Sequence, residues 1–134
     1  MDAFMVELPN RPGELARLAD AIAQHGINII ACAGATYRGG GSVILLTLDT
    51  AGTRLALDEA GYAARMVELA SAWVSDEPGG LAVATHRLGD AGVNIEALLP
   101  TQTVGGNVRF WFATDNPARA RAALGDEVLV AWRR

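Results

Sequence analysis

The sequence predicts an α+β fold of two β-α-β-β-α-β units, residues 1–67 and 68–134, each an antiparallel sheet with its helices on one face. Three observations predict it. The chain repeats itself at an offset of 66 residues: Asn10-Arg11-Pro12-Gly13-Glu14-Leu15-Ala16 returns as Asp76-Glu77-Pro78-Gly79-Gly80-Leu81-Ala82, and Gly26-Ile27-Asn28-Ile29 as Gly92-Val93-Asn94-Ile95. From Asn10 to Ile30, seven of 21 positions are identical without a gap, which a duplication explains better than chance. Strand-period and helix-period segments then alternate in the same order in both halves.

In the first half, Phe4, Val6 and Leu8 face inward between Met5 and Glu7, a strand period over residues 4–8. Pro12 opens a helix where a missing N–H costs nothing. Leu15, Leu18, Ala19 and Ile22 give it one apolar stripe, and Gly26 ends it. Residues 27–37 and 42–49 read as strands around the turn Arg38-Gly39-Gly40-Gly41. A short helix over 53–61 and a closing strand over 63–67 complete the unit.

The second half follows the same order: a strand over 69–74, a helix over 78–90, and strands over 93–101 and 108–114 across Gly105-Gly106. A helix over 116–124, capped by Asn116 or Asp115 before Pro117, precedes a closing strand over 128–132. Almost no linker separates the halves, because residues 63–74 hold two strands back to back. This is the ferredoxin-like or split βαβ arrangement. The repeat aligns Leu45 with Trp111 and Glu7 with Trp73, which puts both tryptophans on the helix-free face. A large exposed aromatic patch there marks an interface, and a sheet-to-sheet homodimer is expected, with Arg109 on the same parity counting against it.

Composition narrows the function. Of 134 residues, 51% are apolar and 19% charged, which excludes a disordered chain. A net charge of −4 opposes bulk attraction to nucleic acid or anionic lipid. All eleven cations are arginine, so Schiff-base and phosphate-loop lysines are excluded. Cys32 is alone, which excludes an intramolecular disulfide and a cysteine zinc cluster. The longest apolar run, residues 29–35, is far short of the roughly 20 a membrane helix needs. Nothing at the N-terminus resembles a targeting signal, and the expected location is cytoplasmic. His25, His86, Asp58-Glu59 and Gly39-Gly40-Gly41 form no recognisable catalytic, metal or phosphate constellation. Neither a catalytic residue nor a cofactor is expected.

The repeated loop is where chemistry concentrates. Pro12-Gly13-Glu14-Leu15 and Pro78-Gly79-Gly80-Leu81 place free backbone N–H groups at a helix N-terminus, which favours a carboxylate. Asn10 offers donor and acceptor, Asp76 a carboxylate for an ammonium, and Asn28 and Asn94 a second polar wall beside Ile29 and Ile95. Asn10 and Asp76 could equally be caps or Asx-turn residues, and Asn28 and Asn94 could help the chain turn after Gly26 and Gly92.

A strand, Asn/Asp-x-Pro-Gly-x-Leu, a helix and Gly-Ile/Val-Asn-Ile entering a second strand resembles the ACT domain, in both halves and over essentially the whole chain. The resemblance is to a stand-alone tandem ACT protein of the amino-acid-binding type. It implies a non-catalytic regulatory module that binds a free amino acid at an interface between ACT units, with sheets joined edge to edge. In the family the positions matching Asn10 and Asn28 contact the ligand; Asp76 departs from Asn, so the halves form unequal sites or only one is used. The implied partners are a small amino acid, a second copy and an amino-acid-metabolism enzyme in trans. The alternative is a structural or regulatory subunit of an amino-acid-biosynthetic enzyme that binds no ligand itself.

Overall fold

Phe4 and Val6 alternate with Met5 along the first strand, and the buried pair sits directly opposite Leu45 and Val43 of another strand. That register builds the first half. The structure, a computed structural model, describes residues 1–131. Trp132, expected at the end of the closing strand, lies outside them. The chain divides into two units, Asp2–Val67 and the part from Glu68 onward together with Met1.

The first unit runs β1 (Asp2–Glu7), α1 (Glu14–Gln24), β2 (Ala31–Tyr37), β3 (Gly40–Leu46), α2 (Thr50–Glu59) and the start of β4 (Ala64–Ser75). Its strand order is β2-β3-β1-β4, and β3 is antiparallel to both β1 and β2. Leu18 and Ile22 of α1 and Ala56 and Leu57 of α2 close over Phe4, Val6 and Leu45. The α1 stripe is narrower than expected, for Leu15 is 53% exposed and stands outside the core.

The second unit continues from β4 with α3 (Gly80–Asp90), β5 (Ile95–Val104), β6 (Asn107–Thr114) and α4 (Pro117–Leu124), in strand order β4-β6-β5. Ala70, Val74, Leu88, Phe112 and Leu124 form its core. In the described part of the expected closing strand over 128–132, residues 128–131, no antiparallel strand forms. Leu129 makes a single parallel bridge to Val74, donating to the Trp73 carbonyl at 2.8 Å and accepting from the Ser75 N–H at 2.9 Å. The Ala131 N–H donates to Ser75 Oγ at 2.9 Å, so a side chain ends the ladder.

Local chemistry explains the other departures. The two strands expected over 63–74 are one, because nothing between Val67 and Leu69 breaks an extended chain and Glu68 finds an ion-pair partner in Arg121 at 2.8 Å. Both hairpins are two-residue turns with positive φ at both central positions, Arg38 (52°) and Gly39 (79°), then Gly105 (57°) and Gly106 (77°). That pattern is the type I′ turn that matches strand twist, so β3 starts at Gly40 rather than Ser42. Helix α2 starts at Thr50 rather than Thr53, because the Asp49 side chain caps it by accepting from the Gly52 N–H at 2.8 Å. At α4 the cap is Asn116, accepting from the Arg119 N–H at 3.1 Å.

The tryptophans do lie on the helix-free side, since Trp73 pairs with Arg109 and Ser71 with Trp111, opposite in parity to the core pair Ala72 and Phe110. They do not form a large exposed patch. Trp111 is 8% exposed, Trp73 is half-buried, and the Arg109 guanidinium lies 4.3 Å from the Trp111 ring centre and 5.8 Å from that of Trp73. Arg109, read as an obstacle to an aromatic face, belongs to it.

Candidate functional site

The loop between β1 and α1 is set by three backbone constraints. The Leu8 N–H donates to the Gly41 carbonyl at 3.1 Å, which ties the end of β1 to the start of β3. A side chain at Gly41 would press on the Leu8 carbonyl at 2.7 Å, so this approach needs glycine. Gly13 then caps α1 at φ 85°, the left-handed region open to glycine. Pro12 therefore stands before the cap rather than at the first helical position, and Pro78 does the same before Gly79 at φ 92°.

No side chain caps either α1 or α3. The capping role that sequence allows for Asn10 and Asp76 is thus not the one the structure gives them, and both are exposed at the surface. The first N–H of each helix is taken, Glu14 donating to the Arg11 carbonyl at 3.3 Å and Gly80 to that of Glu77 at 3.0 Å, and donors left unpaired beyond it favour an anion.

In the first unit this loop opens onto a hollow of about 390 Å³. Asn10, Arg11, Glu14 and Leu15 line one side, Cys32 to Thr36 of β2 another, and Leu8 and Val43 contribute apolar floor. The exposure of Leu15, anomalous for a core residue, is explained by its place on this wall. Small residues on β2 (Ala33, Gly34, Ala35) leave the room.

The carboxylate of Glu14 is mostly buried, with its side chain 16% exposed. Its Oε1 meets Arg11 Nη2 at 3.0 Å, and its Oε2 lies 3.8 Å from Arg17 Nε with no hydrogen bond. Arg17 stacks on the Tyr62 ring at 4.7 Å. Tyr62, which no sequence motif marks, is 8% exposed with its hydroxyl unpaired. Burial pushes that hydroxyl above its ordinary range; Arg17 opposes the shift and Glu14 adds to it. Tyr62 and Arg17 line a second hollow of about 460 Å³ whose walls share Leu8, Pro9 and Gly41 with the first.

The remaining expected residues are not gathered there. Asn28 lines a separate depression with Gly26, Ile27 and Asp49, beyond the opposite end of α1 from Asn10. An 11-residue helix is about 16 Å long, too far for both asparagines of one unit to touch one small ligand. Ile29 and Ile95 pack against their cores. The backbone of Asn94 is held by Asp115, whose Oδ1 accepts its N–H at 2.9 Å.

The second copy of the loop differs. Gly80 is buried, and a Cβ there would collide with the Ser75 carbonyl oxygen. The Asp76 N–H donates to the Gly106 carbonyl at 2.8 Å, and a side chain on Gly79 would touch the Ala131 methyl at 3.4 Å. Leu81 is 38% exposed and Pro78 is exposed. Where the first unit has Cys32, Ala33 and Gly34, the offset of 66 places Leu98, Leu99 and Pro100.

Among the described residues no group of three His, Cys, Asp or Glu could hold a metal ion, and no helix is long and apolar enough to cross a membrane.

No protein-family model matches the sequence, and no curated protein sequence matches it significantly. Solved structures do. Protein BT0572 from Bacteroides thetaiotaomicron is similar at a TM-score of 0.77 and 20% identity, over 92% of this chain and 85% of that one. The regulatory subunit of aspartate kinase from Thermus thermophilus, in a ligand-free form, is similar at 0.65 and 19%, over 92% and 86%. A structure of aspartokinase alpha and beta subunits gives 0.65 and 19%, over 92% and 89%. At such identities the likeness establishes the fold alone, an α+β fold of the ferredoxin-like kind.

Proposed function

We propose that the chain is a non-catalytic regulatory protein of two ACT units, 1–67 and 68–134, that binds a free amino acid at the loop between β1 and α1. The observation that carries this reading is the open hollow at Asn10, where a helix start without a side-chain cap adjoins an exposed amide and a buried carboxylate. Such a site offers donors to a carboxylate and acceptors to an ammonium within one small space. Ligand acts by favouring one arrangement of the protein over another, and its effect is limited by its differential affinity for the two.

A second copy belongs to this reading. Strand β2 ends the strand order of the first unit, is almost wholly exposed, and carries no charge, proline or bulge to discourage pairing. Strand β5 ends that of the second and has Pro100 and two register shifts. The expected sheet-to-sheet contact through Trp73 and Trp111 gives way to an edge contact through β2. A target enzyme of amino-acid metabolism is the other partner, which the likeness to the aspartate kinase regulatory subunit supports. If that contact works without ligand, the chain is a purely structural subunit.

The test is thermal unfolding of the protein with each of the twenty L-amino acids at millimolar concentration. A ligand at about a hundred times its dissociation constant stabilises by roughly 2.7 kcal/mol, several degrees in the midpoint for a domain of this size. One or a few chemically related amino acids shift the midpoint if the reading is right. A flat panel, with an enzyme that copurifies, would replace it by the structural-subunit alternative.

A further inference from the structure

Three polar side-chain atoms among the described residues are buried without a hydrogen-bond partner: Glu14 Oε2, Tyr62 Oη and Arg109 Nε. Two of the three belong to one cluster. Glu14 and Tyr62 are joined through Arg17, which stacks on the tyrosine ring and stands 3.8 Å from the orphaned carboxylate oxygen. A buried oxygen without a donor costs free energy, and each of these two lacks one. Tyr62 is more than nine-tenths buried, and it lines the hollow that shares Leu8, Pro9 and Gly41 with the Asn10 hollow.

An ammonium group suits this pair of oxygens chemically. It donates three N–H bonds, and both orphans accept, the carboxylate with a formal charge opposite to its own. The carboxylate of the same molecule then needs cations nearby. Arg11 and Arg17 supply them, with side chains 69% and 60% exposed and so able to swing. The cluster of two arginines and one buried glutamate has the polarity of a zwitterion read in reverse.

The repeat makes this a statement about stoichiometry. At the offset of 66, Arg11 becomes Glu77, Glu14 becomes Gly80, Arg17 becomes Val83 and Tyr62 becomes Val128. Both cations, the carboxylate and the hydroxyl are missing from the second copy at the matching places, and Gly80 has no room for a side chain. The loop is duplicated, but the charges around it are not.

We infer that the amino-acid site is built once per chain: in the first unit, Glu14 Oε2 and the Tyr62 hydroxyl take the ammonium, Arg11 and Arg17 take the carboxylate, and the loop at 76–81 binds none. The inference rests on the amino-acid-binding reading above and assigns its recognition groups.

The experiment is calorimetric titration of the full chain with those of the twenty L-amino acids that raise its unfolding midpoint, repeated with their N-acetyl forms. The same titrations are run on Glu14→Gln, Tyr62→Phe and Asp76→Ala. The wild-type chain takes up no more than one ligand per chain, and acetylation abolishes the heat. Glu14→Gln loses affinity at least tenfold, Tyr62→Phe loses several-fold, and Asp76→Ala is unchanged. Two ligands per chain, an acetylated ligand that binds as well, or Glu14→Gln binding at wild-type affinity overturns the inference while the regulatory reading stands. The last result means that the Glu14 carboxylate takes no part in recognition. If no amino acid binds the wild type, both readings fall. Should Glu14→Gln not fold, the wild-type stoichiometry and the acetylated ligands decide alone.

Discussion

The guanidinium of Arg109 lies 4.3 Å from the ring centre of Trp111, which itself donates its indole N–H to Thr101 Oγ1 at 3.2 Å. Arginine over a mostly buried indole is a cation–π contact of about 1–2 kcal/mol. Arg109→Ala therefore lowers stability by roughly that amount and opens the helix-free side of β6 to water. Tryptophan emission moves to longer wavelength and acrylamide quenching rises. Unchanged emission would mean that Trp111 is kept dry without the arginine.

Two glycines of α3 predict opposite signs. Gly80→Ala drives a methyl into the Ser75 carbonyl and should cost about 2–3 kcal/mol, since backbone cannot yield as a side chain can. Gly89 lies near the end of the same helix, exposed, with no positive φ and open space within 4 Å of where a methyl would stand. Gly89→Ala should stabilise by about 0.5–1 kcal/mol. Chemical denaturation of the two variants beside wild type reads both.

Tyr62 supplies a pH dependence. Its hydroxyl ionises at higher pH in the folded chain than in the unfolded one, so above about pH 10 the unfolded chain releases its proton first. The stabilisation is complete below the unfolded value and is lost as pH rises through the folded one. Tyr62→Phe removes that alkaline loss. At neutral pH the variant is as stable as wild type to within about 1 kcal/mol, because the hydroxyl it removes has no partner. Unfolding midpoints from about pH 8 to about pH 11.5 test this, spanning the ordinary tyrosine range. Parallel curves for the two proteins would contradict it.

The two asparagines that sequence treats alike should behave differently. Asn10→Ala loses the midpoint shift given by the active amino acid while its own stability stays within about 0.5 kcal/mol, because Asn10 is exposed and caps nothing. Asn28→Ala keeps the shift, since Asn28 lines a different depression. Loss of response in Asn28→Ala would mean that a second copy brings the far end of its own α1 to the ligand.

The order of elements was legible in the sequence because repetition marks equivalent positions twice, and Gly105-Gly106 and the Gly26 and Gly92 helix ends stand where expected. What the sequence could not show is cover. Alternation put Trp111 on the helix-free side, but parity says nothing about the arginine laid over it. Helical spacing put Leu15 in a stripe with Leu18 and Ile22, but a stripe is one turn too long where the helix begins at a hollow. Tyr62 belongs to no motif, follows a helix-ending glycine and stands 48 residues from Glu14, so only folding reveals it stacked on Arg17.

Strand β4 runs unbroken from Ala64 to Ser75, and the boundary between the units falls within it, between Val67 and Glu68. A protease that needs several residues of slack chain therefore has no substrate at the join. Cutting a gene at that point would leave each half with the stump of a strand whose remainder belongs to the other.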